Sequence, residues 1–277
     1  MRAALILIAL VFLIGCQSMF FYPDKVLRYH PDLIVAEPKD VLFTSYDNTT
    51  LHGWYIKAKT EPVKGTIFFL HGNAQNMSFH IHSLLWLTHN GYNIFTFDYR
   101  GYGISRGKPN IKGALDDSLS ALDLLMSGQI AETDGVIVLG QSMGGALAIV
   151  TAAMAKDQDK ITAVVTDSAF SSWRKIFRQK AGDIVLTWLF QYPASWFIND
   201  DYAPEKYIGS IPKRIKILLV HNREDKYVPS THSERLKDAA KEGNAELWIM
   251  DFEGHVTVNN HELFRSMFLA YLRQVGY

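Results

Sequence analysis

Gly135-Val136-Ile137-Val138-Leu139-Gly140-Gln141-Ser142-Met143-Gly144-Gly145-Ala146-Leu147-Ala148 is the stretch on which the fold turns. Val136 to Leu139 are continuously apolar, the pattern of a strand covered on both faces. Gly140-Gln141-Ser142-Met143-Gly144 is a G-x-S-x-G, and the small residues Gly145, Ala146 and Ala148 open a helix. A strand that passes into a helix through so tight a turn needs glycines, and it leaves the serine strained with its Oγ exposed above the sheet. With a strand directly before it and a helix directly after it, the motif occurs once in the 277 residues. The plainer alternative for Ser142 is a serine that only caps the helix.

Working outward, the same kind of strand recurs at Thr66–Leu70, Asn93–Phe97, Ile161–Thr166, Ile215–Val220 and Ala245–Met250. Val41–Tyr46 and Leu51–Lys57 flank Asn48-Thr49-Thr50 and read as a hairpin. Helical stretches lie between the strands at Met77–His89, Lys112–Met126, Gly144–Ala155, Ser230–Lys241 and His261–Gln274. Alternation of this kind predicts an α/β fold, a mostly parallel central sheet with helices on both faces. Its chemistry is expected at the carboxyl ends of the strands. The stretch 169–211 breaks the alternation. It holds no strand pattern and is rich in aromatics, so it is expected to be a helical insertion over the sheet, most of its aromatics packing it against the body.

Charge and cysteine content remove several functions. Lys+Arg and Asp+Glu both total 28, which argues against a nucleic-acid partner bound through its phosphates. Hydrophobic residues make up 48% of the chain, enough for a sizeable core. A single cysteine excludes an internal disulfide and a cysteine-built metal site. His80 and His82, two apart on an expected helix, do not share a face. His71, His221 and His255 lack an accompanying carboxylate-rich motif, so no metal is expected. No phosphate-binding G-x-x-x-x-G-K-[ST] is present and no cofactor is implied.

A serine nucleophile requires a base, and the base requires an orienting acid. Asp225 follows the strand Ile217–Val220, and His255 follows the last strand in Phe252-Glu253-Gly254-His255. Asp167 and Glu224 are rival acids, and His261 is a rival base at the start of the final helix. The order Ser142, Asp225, His255 is that of the α/β-hydrolases, which the chain resembles over about residues 39–277. His71-Gly72-Asn73-Ala74-Gln75-Asn76 resembles their oxyanion loop. Asp98-Tyr99-Arg100-Gly101-Tyr102-Gly103-Ile104-Ser105 resembles the D-Y-R-G-Y-G-x-S of a subgroup that includes membrane-associated serine hydrolases and depalmitoylase-like proteins. The resemblance implies an oxyanion hole formed by the backbone N–H groups of Asn73 and Met143, a loop-shaping role for His71, and an architectural role for Asp98–Ser105. Gln75 departs from the family, which often has glycine there.

The N-terminus carries an address. Arg2 precedes an apolar run from Ala3 to Ile14, too short to span a bilayer and suited to a signal peptide. Leu13-Ile14-Gly15-Cys16 resembles the lipobox of bacterial lipoproteins, which implies cleavage before Cys16 and lipidation of that cysteine. The expected division is a signal peptide over 1–15, a tether and lead-in over 16–38, and the hydrolase domain over 39–277. Gln17, where such lipoproteins have Asp for inner-membrane retention, favours the periplasmic side of the outer membrane.

The expected function is a membrane-anchored serine hydrolase acting on esters or thioesters with apolar acyl groups. Residues 183–197 are apolar nearly all round a helix, and Trp188 and Phe190 on it are expected to wall the acyl pocket. A peptidase, which needs an acidic pocket for a free amine, and a non-catalytic binding protein on the same scaffold remain alternatives.

Overall fold

The computed structural model describes residues 20–130, 135–183 and 188–276. Eight strands form the main sheet: β1 Lys39–Thr44, β2 Thr50–Ile56, β3 Gly65–Leu70, β4 Tyr92–Asp98, β5 Val136–Gln141, β6 Ile161–Asp167, β7 Lys216–Asn222 and β8 Ala245–Met250. Their spatial order is β8-β7-β6-β5-β3-β4-β2-β1. Every pairing is parallel except those of β2 with β1 and with β4. The expected hairpin is β1–β2, its turn held by Asp47, which accepts from the Thr49 amide at 3.1 Å.

The apolar strands feed two cores at once, because successive side chains leave opposite faces of a sheet. Phe68, Leu70, Val136, Val138, Ile217 and Leu219 pack on one side. Ile67, Phe69, Ile137, Leu139, Leu218 and Val220 pack on the other. Helices α1 (Ile111–Met126), α2 (Met143–Met154), α3 (Trp173–Gly182) and α4 (Thr231–Ala239) contribute to the first core. Helix α5 (Glu262–Gln274) and the segment Met77–Asn90 close the second.

Two expected helices differ in the structure. Met77–His89 is a four-residue α-helix followed by a 3-10 helix over Ile81–Asn90. Ile81, Leu84 and Leu87 are fully buried at intervals of three, and three residues per turn aligns them in one stripe. The continuous apolar helix expected over 183–197 is replaced, among the described residues, by a 3-10 turn Trp188–Phe190 and a helix Gln191–Ser195. Pro193 is the cause: it lacks an N–H and is accommodated only in a first turn, so a helix must begin close to it. Ile184–Thr187 and the side chain of Phe190 lie outside the described residues.

No strand interrupts the described part of 169–211. Its aromatics divide. Phe170, Trp173 and Phe177 are buried, and Tyr202 and Tyr207 pack partly against the same core. Trp188, Tyr192, Trp196 and Phe197 remain exposed, with Leu189 beside them, so the expectation that most of the aromatics pack inward holds for five of the nine whose side chains are described. Side chains of that size left in water forgo about 1.5–3 kcal/mol each.

Candidate active site

The turn from β5 into α2 places Ser142 at φ 55°, ψ −116°, outside the regions open to an ordinary residue. Such a conformation costs on the order of 1–3 kcal/mol, and its surroundings must enforce it. Two contacts do so. A Cβ on Gly140 would stand 2.2 Å from the Gly144 carbonyl oxygen, and one on Gly144 would stand 2.0 Å from that of Leu70. The Ser142 amide donates to the Asp167 carbonyl at 2.8 Å, tying the turn to the end of β6.

The three residues expected as nucleophile, base and acid come together at the carboxyl ends of the strands. His255 Nε2 is 2.8 Å from Ser142 Oγ, and His255 Nδ1 is 2.6 Å from Asp225 Oδ2. Asp225 Oδ1 accepts from the amides of Tyr227 at 2.8 Å and Val228 at 3.0 Å. Burial pushes the Asp225 pKa up, but the hydrogen bond and charge of His255 and these two amides outweigh it and hold the carboxyl below its ordinary value. An ionised Asp225 fixes Nδ1 as the protonated nitrogen and leaves Nε2 free to accept from Ser142.

The rivals are placed elsewhere. Asp167 is buried and bonded to Ser168 Oγ at 3.1 Å; burial pushes its pKa up to about 7. Glu224 is exposed. His261 stands at the N-cap position of α5 without a side-chain cap bond, and its ring stacks on Phe252 with centroids 3.8 Å apart.

His221, considered from the sequence only as a metal ligand, and Asn222, which the sequence reading did not single out, hold the acid and base loops. His221 lies under the Asp225 loop, with Nε2 2.7 Å from the Val228 carbonyl and Nδ1 2.6 Å from Ser233 Oγ. Asn222 Nδ2 donates to the Gly254 carbonyl at 2.8 Å and to Thr257 Oγ1 at 3.0 Å. It thereby pins a loop in which Gly254 (φ 93°) and Val256 (φ 54°) flank His255 in left-handed conformations.

Met143 follows Ser142 as the first residue of α2, and Asn73 lies in the loop after β3. The loop is braced from residues remote in sequence. Tyr102 Oη donates to the Asn73 carbonyl at 2.5 Å, and the Tyr22 amide donates to the same oxygen at 2.9 Å. Tyr22–Pro23 in fact pairs in parallel with Ala74–Gln75 as a small second sheet. His80 Nε2 lies 3.0 Å from the Ala74 carbonyl, and burial holds its pKa down at about 4, so it is neutral and donates this bond. Gln75 stands at φ 64°, a conformation glycine adopts freely.

His71 is fully buried, with Nδ1 2.8 Å from the Gly72 carbonyl and Nε2 3.4 Å from Asp98 Oδ1. Asp98 also accepts from the Met77 amide at 2.7 Å. The Asp98–Ser105 segment is therefore an internal frame for the loop that follows β3. His80 stacks on His71 whereas His82 packs on His30, so the two histidines serve different neighbours. Trp188 is 56% exposed, and none of its described contacts reaches Ser142, Asp225 or His255. Cys16 and the apolar run before it lie outside the described residues.

The family model described as serine aminopeptidase, S33 matches residues 61–208. Over 240 residues the chain is 38% identical to YfhR of Escherichia coli (strain K12), covering 85% of this chain and 79% of that protein. It is 30% identical over 238 residues to protein bem46 of Schizosaccharomyces pombe, covering 82% and 75%. Among solved structures, the Pyrococcus furiosus esterase Pf2001 superimposes with a TM-score of 0.71 at 25% identity, over 93% of this chain and 98% of that one.

Proposed function

The chain belongs to the α/β-hydrolase superfamily, in the family described as serine aminopeptidase, S33, and from that premise we propose that it is a serine hydrolase cleaving carboxylic esters or thioesters with apolar acyl groups. The observation that carries the proposal is the unbroken chain from Ser142 Oγ through His255 to Asp225, 2.8 Å and then 2.6 Å. In this reading Ser142 Oγ attacks the acyl carbon as His255 Nε2 takes its proton, and Asp225 holds the imidazolium that forms. The amides of Asn73 and Met143 stabilise the oxyanion. His255 then protonates the leaving group, and in the second half it activates the water that releases the acid.

An aminopeptidase needs a carboxylate free to meet the substrate's amino group. The two buried carboxylates beside Ser142 are poorly placed for that, since Asp225 is engaged by His255 and Asp167 is buried, bonded to Ser168 and only partly ionised near neutral pH. The description of the Pyrococcus furiosus relative as an esterase supports the same preference. Lipidation of Cys16, and with it a place at the periplasmic face of the outer membrane, is part of the proposal and rests on the lipobox-like Leu13–Cys16.

The test is a panel of p-nitrophenyl esters, acyl thioesters and aminoacyl anilides, with Ser142→Ala as the blank. Turnover of esters or thioesters above the blank is expected. Turnover confined to the anilides would replace this reading with a peptidase.

A further inference from the structure

Helix α3 links three features that otherwise have no common explanation. At its first residue, Trp173 receives the start of the described chain: the ring of Phe20 packs edge-on at 5.3 Å and that of Phe21 stacks at 6.5 Å. Along its middle, α3 carries the exposed turn. Arg174 donates to the carbonyls of Ser195 at 3.1 Å and Ile198 at 3.2 Å, Arg178 Nε donates to Ser195 Oγ at 2.7 Å, and the Arg178 guanidinium lies 5.2 Å from the Tyr192 ring centre. Near its end, Lys180 sits 5.5 Å over the ring of Tyr227, which is itself 5.6 Å from the His255 ring and 64% exposed. The helix is ten residues, about 15 Å, long.

Cys16 precedes Phe20 by four residues, a span of at most roughly 14 Å. A lipid on Cys16 therefore holds the Trp173 end of α3 close to the bilayer, and the exposed turn lies within about the same distance. That turn presents Leu189 (72% exposed), Tyr192 (60%), Trp196 (71%) and Phe197 (46%). Aromatic rings with polar tips suit the boundary between headgroups and acyl chains, and the cations Arg178 and Lys180 beside them suit anionic headgroups.

We propose that this turn is the surface by which the protein lies on a phospholipid bilayer, with the mouth of the active site at Tyr227 and His255 beside it. The anchor and the turn act together: acyl chains on Cys16 keep the protein at the bilayer, and the turn fixes which face meets it. The proposal rests on the serine-hydrolase reading and on the lipobox at Cys16, and it adds an orientation: acyl substrates are taken from the membrane side.

The chain from residue 16 carrying Cys16→Ser keeps every described residue and lacks the lipid attachment site. Co-sedimentation with vesicles of phosphatidylethanolamine and phosphatidylglycerol is expected for this chain. Adding Leu189→Ser and Trp196→Ser is expected to lower the bound fraction roughly tenfold or more, with hydrolysis of a water-soluble short-chain ester unchanged. Failure of the Cys16→Ser chain to bind, or equal binding with and without the two further substitutions, overturns the proposal. Pairing of copies without vesicles, abolished by the same two substitutions, overturns it in favour of a second copy as the occupant. The short ester reports on Ser142 chemistry, and palmitate labelling of the unmodified chain reports on Cys16, so failure of either premise is read separately.

Discussion

Ser142 is held by backbone packed tightly against glycines, whereas Asn73, across the proposed oxyanion site, is held by hydrogen bonds from side chains and an amide elsewhere in the chain. The elbow rests on the glycines at 140 and 144, whose missing side chains admit the Gly144 and Leu70 carbonyls, and on the Ser142 amide bonded to the Asp167 carbonyl. The loop of Asn73 needs a hydroxyl from Tyr102, an amide from Tyr22 and an imidazole from His80. A turn set by close backbone packing is rigid once the strands beside it are in place. A loop set by distant hydrogen bonds is only as well placed as the elements that supply them, and here one is the two-residue strand Tyr22–Pro23.

The sharpest way to break this comparison is at the acid. Asp225→Asn is expected to lower kcat by a factor on the order of 10⁴, by favouring the wrong histidine tautomer, and Asp167→Asn to lower it far less. The reverse ranking would move the orienting role to Asp167. A smaller effect is expected at the loop. Tyr102→Phe removes one of two bonds on the Asn73 carbonyl, so kcat should fall roughly tenfold with KM little changed, less than outright loss of an oxyanion donor costs. A change in KM alone would mean that Tyr102 serves substrate binding and not the placement of Asn73.

The smallest effect concerns stability. Asp167 has its folded pKa raised to about 7 by burial, so between its ordinary value and about 7 the unfolded chain ionises there while the folded one does not. Its contribution to stability is therefore full at acid pH and is lost as pH rises through about 7. Thermal unfolding should show Asp167→Asn gaining on the unsubstituted protein by a few degrees from pH 5 to pH 8, roughly what a kcal/mol or two produces in a domain of this size. A constant difference across that range would show that Asp167 ionises normally in the fold.

The same contrast explains what could be read without coordinates. Continuous apolar runs such as Val136–Leu139 have one stable use, a strand covered on both faces, and the glycines around Ser142 have one steric reason to be there. Asp225 and His255 were legible because each directly follows such a strand. The pairing of Tyr22–Pro23 with Ala74–Gln75 was not, since two-residue strands about fifty positions apart carry no periodicity. Over ten residues the apolar spacing of Ile81–Asn90 suits an α-helix almost as well as the 3-10 helix it forms. In 183–197 apolar content suggested a buried helix, but Pro193 limits where a helix can start and leaves Leu189 and Trp196 in solvent.

The central claim is that Ser142 is a nucleophile activated by His255. Incubation of the intact protein with a fluorophosphonate, followed by peptide mass mapping, tests it most directly. One adduct is expected, on Ser142, formed slowly or not at all after His255→Ala and absent after Ser142→Ala. An adduct on another residue, or undiminished labelling of the Ser142→Ala protein, would contradict it.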